Sequence, residues 1–196
     1  MKKLLLPIFL MTFFAIKTSA QTTPKYGAYL GINSSNMSFS GDGISIKGNS
    51  VAGLRISGMA ELPLTEQISV MALPGISMKG SKLVGEKVSL TYLDLPIYGV
   101  YNYDIGPGKA LGGVGFYVGF ALSGKSGGEK IDFSKNGDAI KRTDAGANFL
   151  LGYELPDLGV KVLLTLSPGI ASISDDSDVK VKNSSFGIGV AYLLKR

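Results

Sequence analysis

Residues 88–103 read VSLTYLDLPIYGVYNY, and the fold turns on how that stretch alternates. At period two, one face carries Leu93, Leu95, Ile97, Gly99, Tyr101 and Tyr103. The other carries Tyr92, Asp94, Pro96, Tyr98, Val100 and Asn102. One set is apolar and ends in tyrosines, while the other holds a carboxylate and an amide. That is the pattern of a strand with two different surroundings, and the aromatic and β-branched content agrees with it. Pro96 cannot donate to a ladder, so a local distortion is expected there.

The same pattern recurs on both sides. Strands are expected near residues 25–33, 51–61, 67–79, 88–103, 111–123, 143–155, 158–170 and 184–194. The fifth is the clearest, with Val114, Phe116, Val118, Phe120 and Leu122 set against Gly113, Gly115, Tyr117, Gly119 and Ser123. No apolar face contains a charged residue. The opposite faces are mainly Gly, Ser, Tyr and Asn with a few charges, a poor solvent surface but a good filling for a narrow lumen. The expected fold is therefore all-β, an eight-stranded antiparallel up-and-down transmembrane β-barrel with its apolar set facing lipid. Two alternatives stay open: a soluble periplasmic lipocalin-like barrel binding an apolar ligand, and a narrow pore.

The connections alternate in length. Long ones are expected at 34–50, 80–87, 124–142 and 172–183, and short ones at 62–66, 104–110 and 156–157. Transmembrane barrels have short periplasmic turns and longer outer loops, and an even strand number leaves both termini on the turn side. Tyr26, Tyr101, Tyr103, Tyr153 and Tyr192 fall on the apolar faces near that rim, where an interfacial aromatic girdle belongs.

Residues 1–20, MKKLLLPIFLMTFFAIKTSA, read as a secretory signal peptide: Lys2 and Lys3, an apolar stretch at 4–16, then Thr18, Ser19 and Ala20. Residues 21–196 form the barrel domain. The chain's +5 charge includes Lys2, Lys3 and Lys17; without them 17 basic residues face 15 acidic ones, which is no nucleic-acid footprint. There is no Cys and no His, so neither thiolate chemistry nor a zinc or haem site is expected, and no cofactor.

Residues 119–126, GFALSGKS, match the phosphate-loop pattern letter for letter. That motif requires a loop between strand and helix, whereas here its first half alternates as a strand and Gly127-Gly128 follow. The carboxylates of Asp175, Asp176 and Asp178 lack the spacing of a calcium loop and read as a solvated tip. The charges of 124–142, with Asp144, read as solvated surface. Inside the barrel, Arg55, Glu61, Asp94, Asn148, Glu154 and Lys161 are expected to form a lumenal polar network, with Arg55 and Asp94 meeting across the bore directly or through a neighbour. Without a nucleophile–base pair, no enzyme is expected.

Tyr92-Leu-Asp-Leu-Pro96, the run from Asp144 to Glu154 (DAGANFLLGYE) and the closing Gly187-Ile-Gly189-Val-Ala-Tyr192 resemble the outer-membrane β-barrel domain family of Bacteroidota, which includes PorT-like proteins. The resemblance implies a small outer-membrane barrel with a structural, surface-interaction or secretion-accessory role. The expected partners are outer-membrane lipid, the barrel-insertion machinery, and a surface ligand or secretion component met through the four long loops.

Overall fold

The computed structural model describes residues 23–194 apart from 42, 84, 132, 134–139, 176 and 177. The signal-peptide reading of 1–20 lies outside the described residues, as do Asp176 and much of the loop at 124–142. The strands are β1 (Lys25–Gly41), β2 (Ile44–Lys47), β3 (Asn49–Pro63), β4 (Ile68–Ala72), β5 (Gly75–Leu83), β6 (Glu86–Ile105), β7 (Gly108–Ser126), β8 (Glu129–Lys130), β9 (Thr143–Leu155), β10 (Val160–Pro168) and β11 (Lys180–Leu193). Every pairing is antiparallel, and the ladder closes because β1 pairs both β3 and β11. With β4 and β5 taken as one interrupted strand, and β2 and β8 as short additions beyond the wall, eight strands ring the interior.

The pleat sends the apolar set outward. Leu30, Ile32, Val114, Phe116 and Leu151 are each more than half exposed, while Tyr29, Tyr98, Tyr117 and Asp94 are buried. A continuous exposed apolar wall of this kind is the mark of a surface facing something other than water. It overturns the lipocalin-like alternative, which needs those side chains inside. The inner face is less polar than expected. Met59, Met71, Leu73, Val100, Leu111, Leu150 and Leu163 point inward and form an apolar layer with Tyr29 and Tyr98.

Two prolines explain the gap between β4 and β5. β6 runs unbroken through Pro96, so the distortion expected there falls instead on the facing strand, which parts at Leu73-Pro74 between β4 and β5. The register is the same on both sides of the gap, Ala72 facing Ile97 and Gly75 facing Asp94. Leu73 donates its N–H to the Pro96 carbonyl at 3.1 Å, but Pro96 has no N–H to return.

The strands also outrun the sequence reading. β1 and β3 continue through most of 34–50, and β5 and β6 pair up to Leu83–Glu86, so the expected loop at 80–87 is a tight hairpin with Gly85 at φ +86°. Above the apolar belt the outer face meets water instead of lipid, so hydrophobic alternation fades while the backbone ladder continues. At the other end, turns at 64–67, 106–107 and 156–159 connect the strands, and the described chain ends meet there, Gly27 facing Leu193.

Candidate functional site

Two buried ion clusters lie inside the barrel, one toward each end. Near the loop end, β5 projects Lys79, β6 Asp94 and β9 Asp144 into one point. Lys79 Nζ lies 3.1 Å from Asp94 Oδ2 and 3.3 Å from Asp144 Oδ2. The Tyr117 hydroxyl donates to Asp144 Oδ1 at 3.2 Å, and Asn183 Nδ2 donates to Asp144 Oδ2 at 3.0 Å and to the Tyr92 hydroxyl at 3.2 Å. The ammonium also sits 4.2 Å from the Tyr117 ring centre and 4.9 Å from that of Tyr92, within cation–π range. Space for the Asp94 carboxylate comes from Gly119 on the adjacent strand, where any side chain would collide with it. Above the cluster, Met37, Leu90, Ala121, Ile173 and Val181 form an apolar lid against which Phe39, Ile131 and Phe133 pack.

Near the turn end, Lys161 of β10 reaches Glu61 Oε2 at 2.6 Å and Glu154 Oε2 at 2.9 Å. Ser69 Oγ donates to Glu61 Oε1 at 2.7 Å, and Asn102 Nδ2 donates to Ser69 Oγ at 3.2 Å. Lys25, partly exposed, approaches Glu154 Oε1 at 3.4 Å. The apolar layer of leucines and methionines separates this cluster from the middle of the barrel.

Arg55 joins neither cluster, contrary to the expected contact with Asp94. Its Nη2 donates to the Leu73 carbonyl at 3.3 Å, its Nε donates to Ser57 Oγ at 3.3 Å, and its guanidinium lies 5.9 Å from the Tyr29 ring centre. The reason is the proline gap: the Leu73 carbonyl lacks a donor from Pro96, and Arg55 supplies one. Asp94 takes Lys79 instead: Lys79 faces Leu90 and Asp94 faces Gly75, four register positions apart on paired strands, and the long lysine side chain spans that offset. Asn148 is buried at mid-depth with no hydrogen-bond partner for either amide atom among the described residues.

Lys79 and Asp144 are the members that the sequence reading missed. Lys79 lies on the polar face of its strand, which was a usable signal. Asp144 was grouped with the solvated loop, yet it opens β9 and is 1% exposed. Inside, among the described residues, Lys25, Arg55, Lys79 and Lys161 stand against Glu61, Asp94, Asp144 and Glu154. General acid–base chemistry needs a proton donor or acceptor within reach of substrate, and these carboxylates are enclosed and held by cations. Residues 119–126, the phosphate-loop look-alike, lie within β7. Among the described residues no three His, Cys, Asp or Glu side chains gather as a metal site.

On the outer surface the five tyrosines lie toward the turn end. Tyr26, Tyr101, Tyr103 and Tyr192 are exposed. Tyr153 is half-buried, its hydroxyl donating to the Ile105 carbonyl at 3.1 Å. Tyr103 and Tyr153 face the same residue, Ala110, from either side.

Comparison with known proteins agrees with this architecture. No curated protein sequence matches the chain. Among solved structures, Neisserial surface protein A (NspA) is 18% identical with a TM-score of 0.50, covering 84% of this chain and 96% of its own. The attachment invasion locus protein Ail of Yersinia pestis is 14% identical with a TM-score of 0.46, covering 87% and 99%. OprG of Pseudomonas aeruginosa is 13% identical with a TM-score of 0.44, covering 88% and 98%. The profile of the outer membrane protein β-barrel domain matches residues 19–191. That match spans most of the chain, and the chain belongs to the outer membrane protein β-barrel domain family.

Proposed function

We propose that the protein is a plugged, non-enzymatic eight-stranded barrel of the bacterial outer membrane that holds its loop-end hairpins on the outer surface. The observation that supports this reading is the succession of buried groups inside the barrel: the lid, the Lys79 cluster, Arg55, the apolar layer and the Lys161 cluster. Eight strands enclose little more than their own side chains. Residues 1–20 would direct export, the termini would lie in the periplasm, and the five tyrosines would sit at the inner interface. Within the family, residues 92–96, 144–154 and 187–192 favour kinship with the small PorT-like barrels of Bacteroidota. A surface-interaction or secretion-accessory role through the loops would follow from it.

Reconstitution into planar bilayers tests the plug, and no stable large conductance is expected. Reproducible channels of porin size would overturn it. The membrane assignment is tested at two neighbours in β7. Val118 is about half exposed on the outer face and Tyr117 is buried inside. A charge from Val118→Arg at mid-membrane should cost roughly 2–4 kcal/mol and abolish most of the heat-modifiable folded band. Tyr117→Phe, which keeps the buried ring, should keep that band. Equal tolerance of the two changes would sink the assignment.

A further inference from the structure

The outer face at the loop end carries a concentrated positive patch that the interior plug does not use. On the paired ends of β5, β6, β7 and β8, Lys82 stands directly opposite Lys87, and Lys125 directly opposite Lys130. Ser89 faces Lys125, which places both pairs on one continuous surface. Like charges directly opposed across a ladder are destabilising unless something else offsets them. The two carboxylates of these strand ends do not, because Glu86 pairs with Leu83 and Glu129 with Ser126, one step away on the alternate face. The sorting is complete on these four strand ends: cations out, carboxylates in.

The height of the patch points to its ligand. On β7 the outward residues run from Ala110, flanked by Tyr103 and Tyr153, up to Leu122. At about 3.3 Å per residue and a tilt of about 40°, that span is about 30 Å high, close to the apolar band of a membrane barrel. Lys125 follows Leu122 by only three positions, about 8 Å further, where lipid headgroups begin. Beside it lies a cleft of about 360 Å³ lined by Leu122, Ser123, Lys130, Ile131, Phe133 and Arg142. Lys130 and Arg142 bring cationic groups to its lining, and Leu122, Ile131 and Phe133 bring apolar surface. The Arg142 guanidinium is held 5.7 Å from the outward Phe120 ring centre and 5.1 Å from that of Phe133.

We propose that this rim, Lys82, Lys87, Lys125, Lys130 and Arg142, binds the phosphate groups of an acylated, phosphorylated lipid in the outer leaflet, its first acyl chain lying along Leu122. The inference rests on the membrane orientation proposed above. Phosphate would bridge the opposed lysines and relieve their repulsion, and guanidinium and ammonium groups are the natural donors to it.

The test uses the full-length folded barrel in neutral detergent, with diphosphorylated lipid A, its dephosphorylated form and inorganic pyrophosphate as probes, read by native mass spectrometry. Diphosphorylated lipid should bind, and dephosphorylated lipid and pyrophosphate should each bind at least roughly tenfold more weakly, since both the charge and the acyl chain contribute. The variant with Lys125→Gln, Lys130→Gln and Arg142→Gln should lose roughly tenfold or more, the variant with Lys82→Gln and Lys87→Gln less, and Lys109→Gln at the opposite end nothing. Equal binding of the dephosphorylated lipid, pyrophosphate binding as tightly as the lipid, or an unaffected triple variant would overturn the proposal. The variants change exposed side chains, and the heat-modifiable band reports their folding. Conductance of the same preparation tests the plug separately.

Discussion

The two ion clusters use the same elements, one lysine between two carboxylates, in different surroundings. Lys161 lies near the turn end, where Lys25 lends a second positive charge to Glu154 and is itself 42% exposed in its side chain. Lys79 lies under the lid, with no second cation on Asp94 or Asp144 among the described residues. Its Asp144 carboxylate is supported by two neutral donors and its ammonium by two tyrosine rings. A buried charge is costly unless paired, and the cost of losing the pair depends on what else can reach the stranded partner. The Lys79 cluster therefore has less in reserve, and the two ends of the interior should fail at different thresholds.

Lys79→Met should have the largest effect. It strands Asp94 and Asp144 together beneath the lid, and removing one partner of a buried pair costs about 3–5 kcal/mol. Urea titration of the folded band in micelles measures it, and adding Asp94→Asn with Asp144→Asn should recover most of the loss. An unchanged midpoint for Lys79→Met would dissolve the distinction between the clusters.

Lys161→Met should fall at the lower end of that range, about 3 kcal/mol, because Lys25 can still serve Glu154. If it exceeds Lys79→Met, the reserve assigned to the turn end is absent. Tyr117→Phe keeps the ring over Lys79 but removes a donor to a charged acceptor, a loss of about 1.5 kcal/mol confined to the loop-end cluster. The smallest effect belongs to Lys25→Ala, under about 1 kcal/mol for a partly exposed pair. The same change should cost more in the Lys161→Met background, and a double-mutant cycle on the two lysines measures that coupling. Strict additivity would mean that Lys25 provides no reserve.

The sequence located the barrel wall better than its ends. Alternation in Val114–Gly115–Phe116–Tyr117–Val118 is imposed by lipid on one side and a crowded bore on the other, so it is written into neighbouring residues. Past the apolar belt that contrast disappears, which is why β1, β5 and β7 ran further than the pattern and why 80–87 looked like a loop. The inward leucines were passed over for a related reason. Leu111, Leu150 and Leu163 break the polar face of their strands, and only the closed bore shows that they meet one another.

Which residue types lie inside was legible because it depends on parity, a local property of the pleat. By parity alone, Glu61, Asp94, Glu154 and Lys161 belong to the bore, and so does Arg55. Which charges pair depends on register and on the proline gap, neither of which is local. Lys79 reaches Asp94 and Asp144 because three strands bring those positions to one depth. Arg55 is drawn to the Leu73 carbonyl because Pro96, on another strand, has no N–H to offer it. The sequence by itself determined a barrel with an apolar exterior and a charged interior, since each residue's face follows from its neighbours in the chain. Only the tertiary structure decided the partners, since a hydrogen bond or ion pair is set by distances between strands that are remote in sequence.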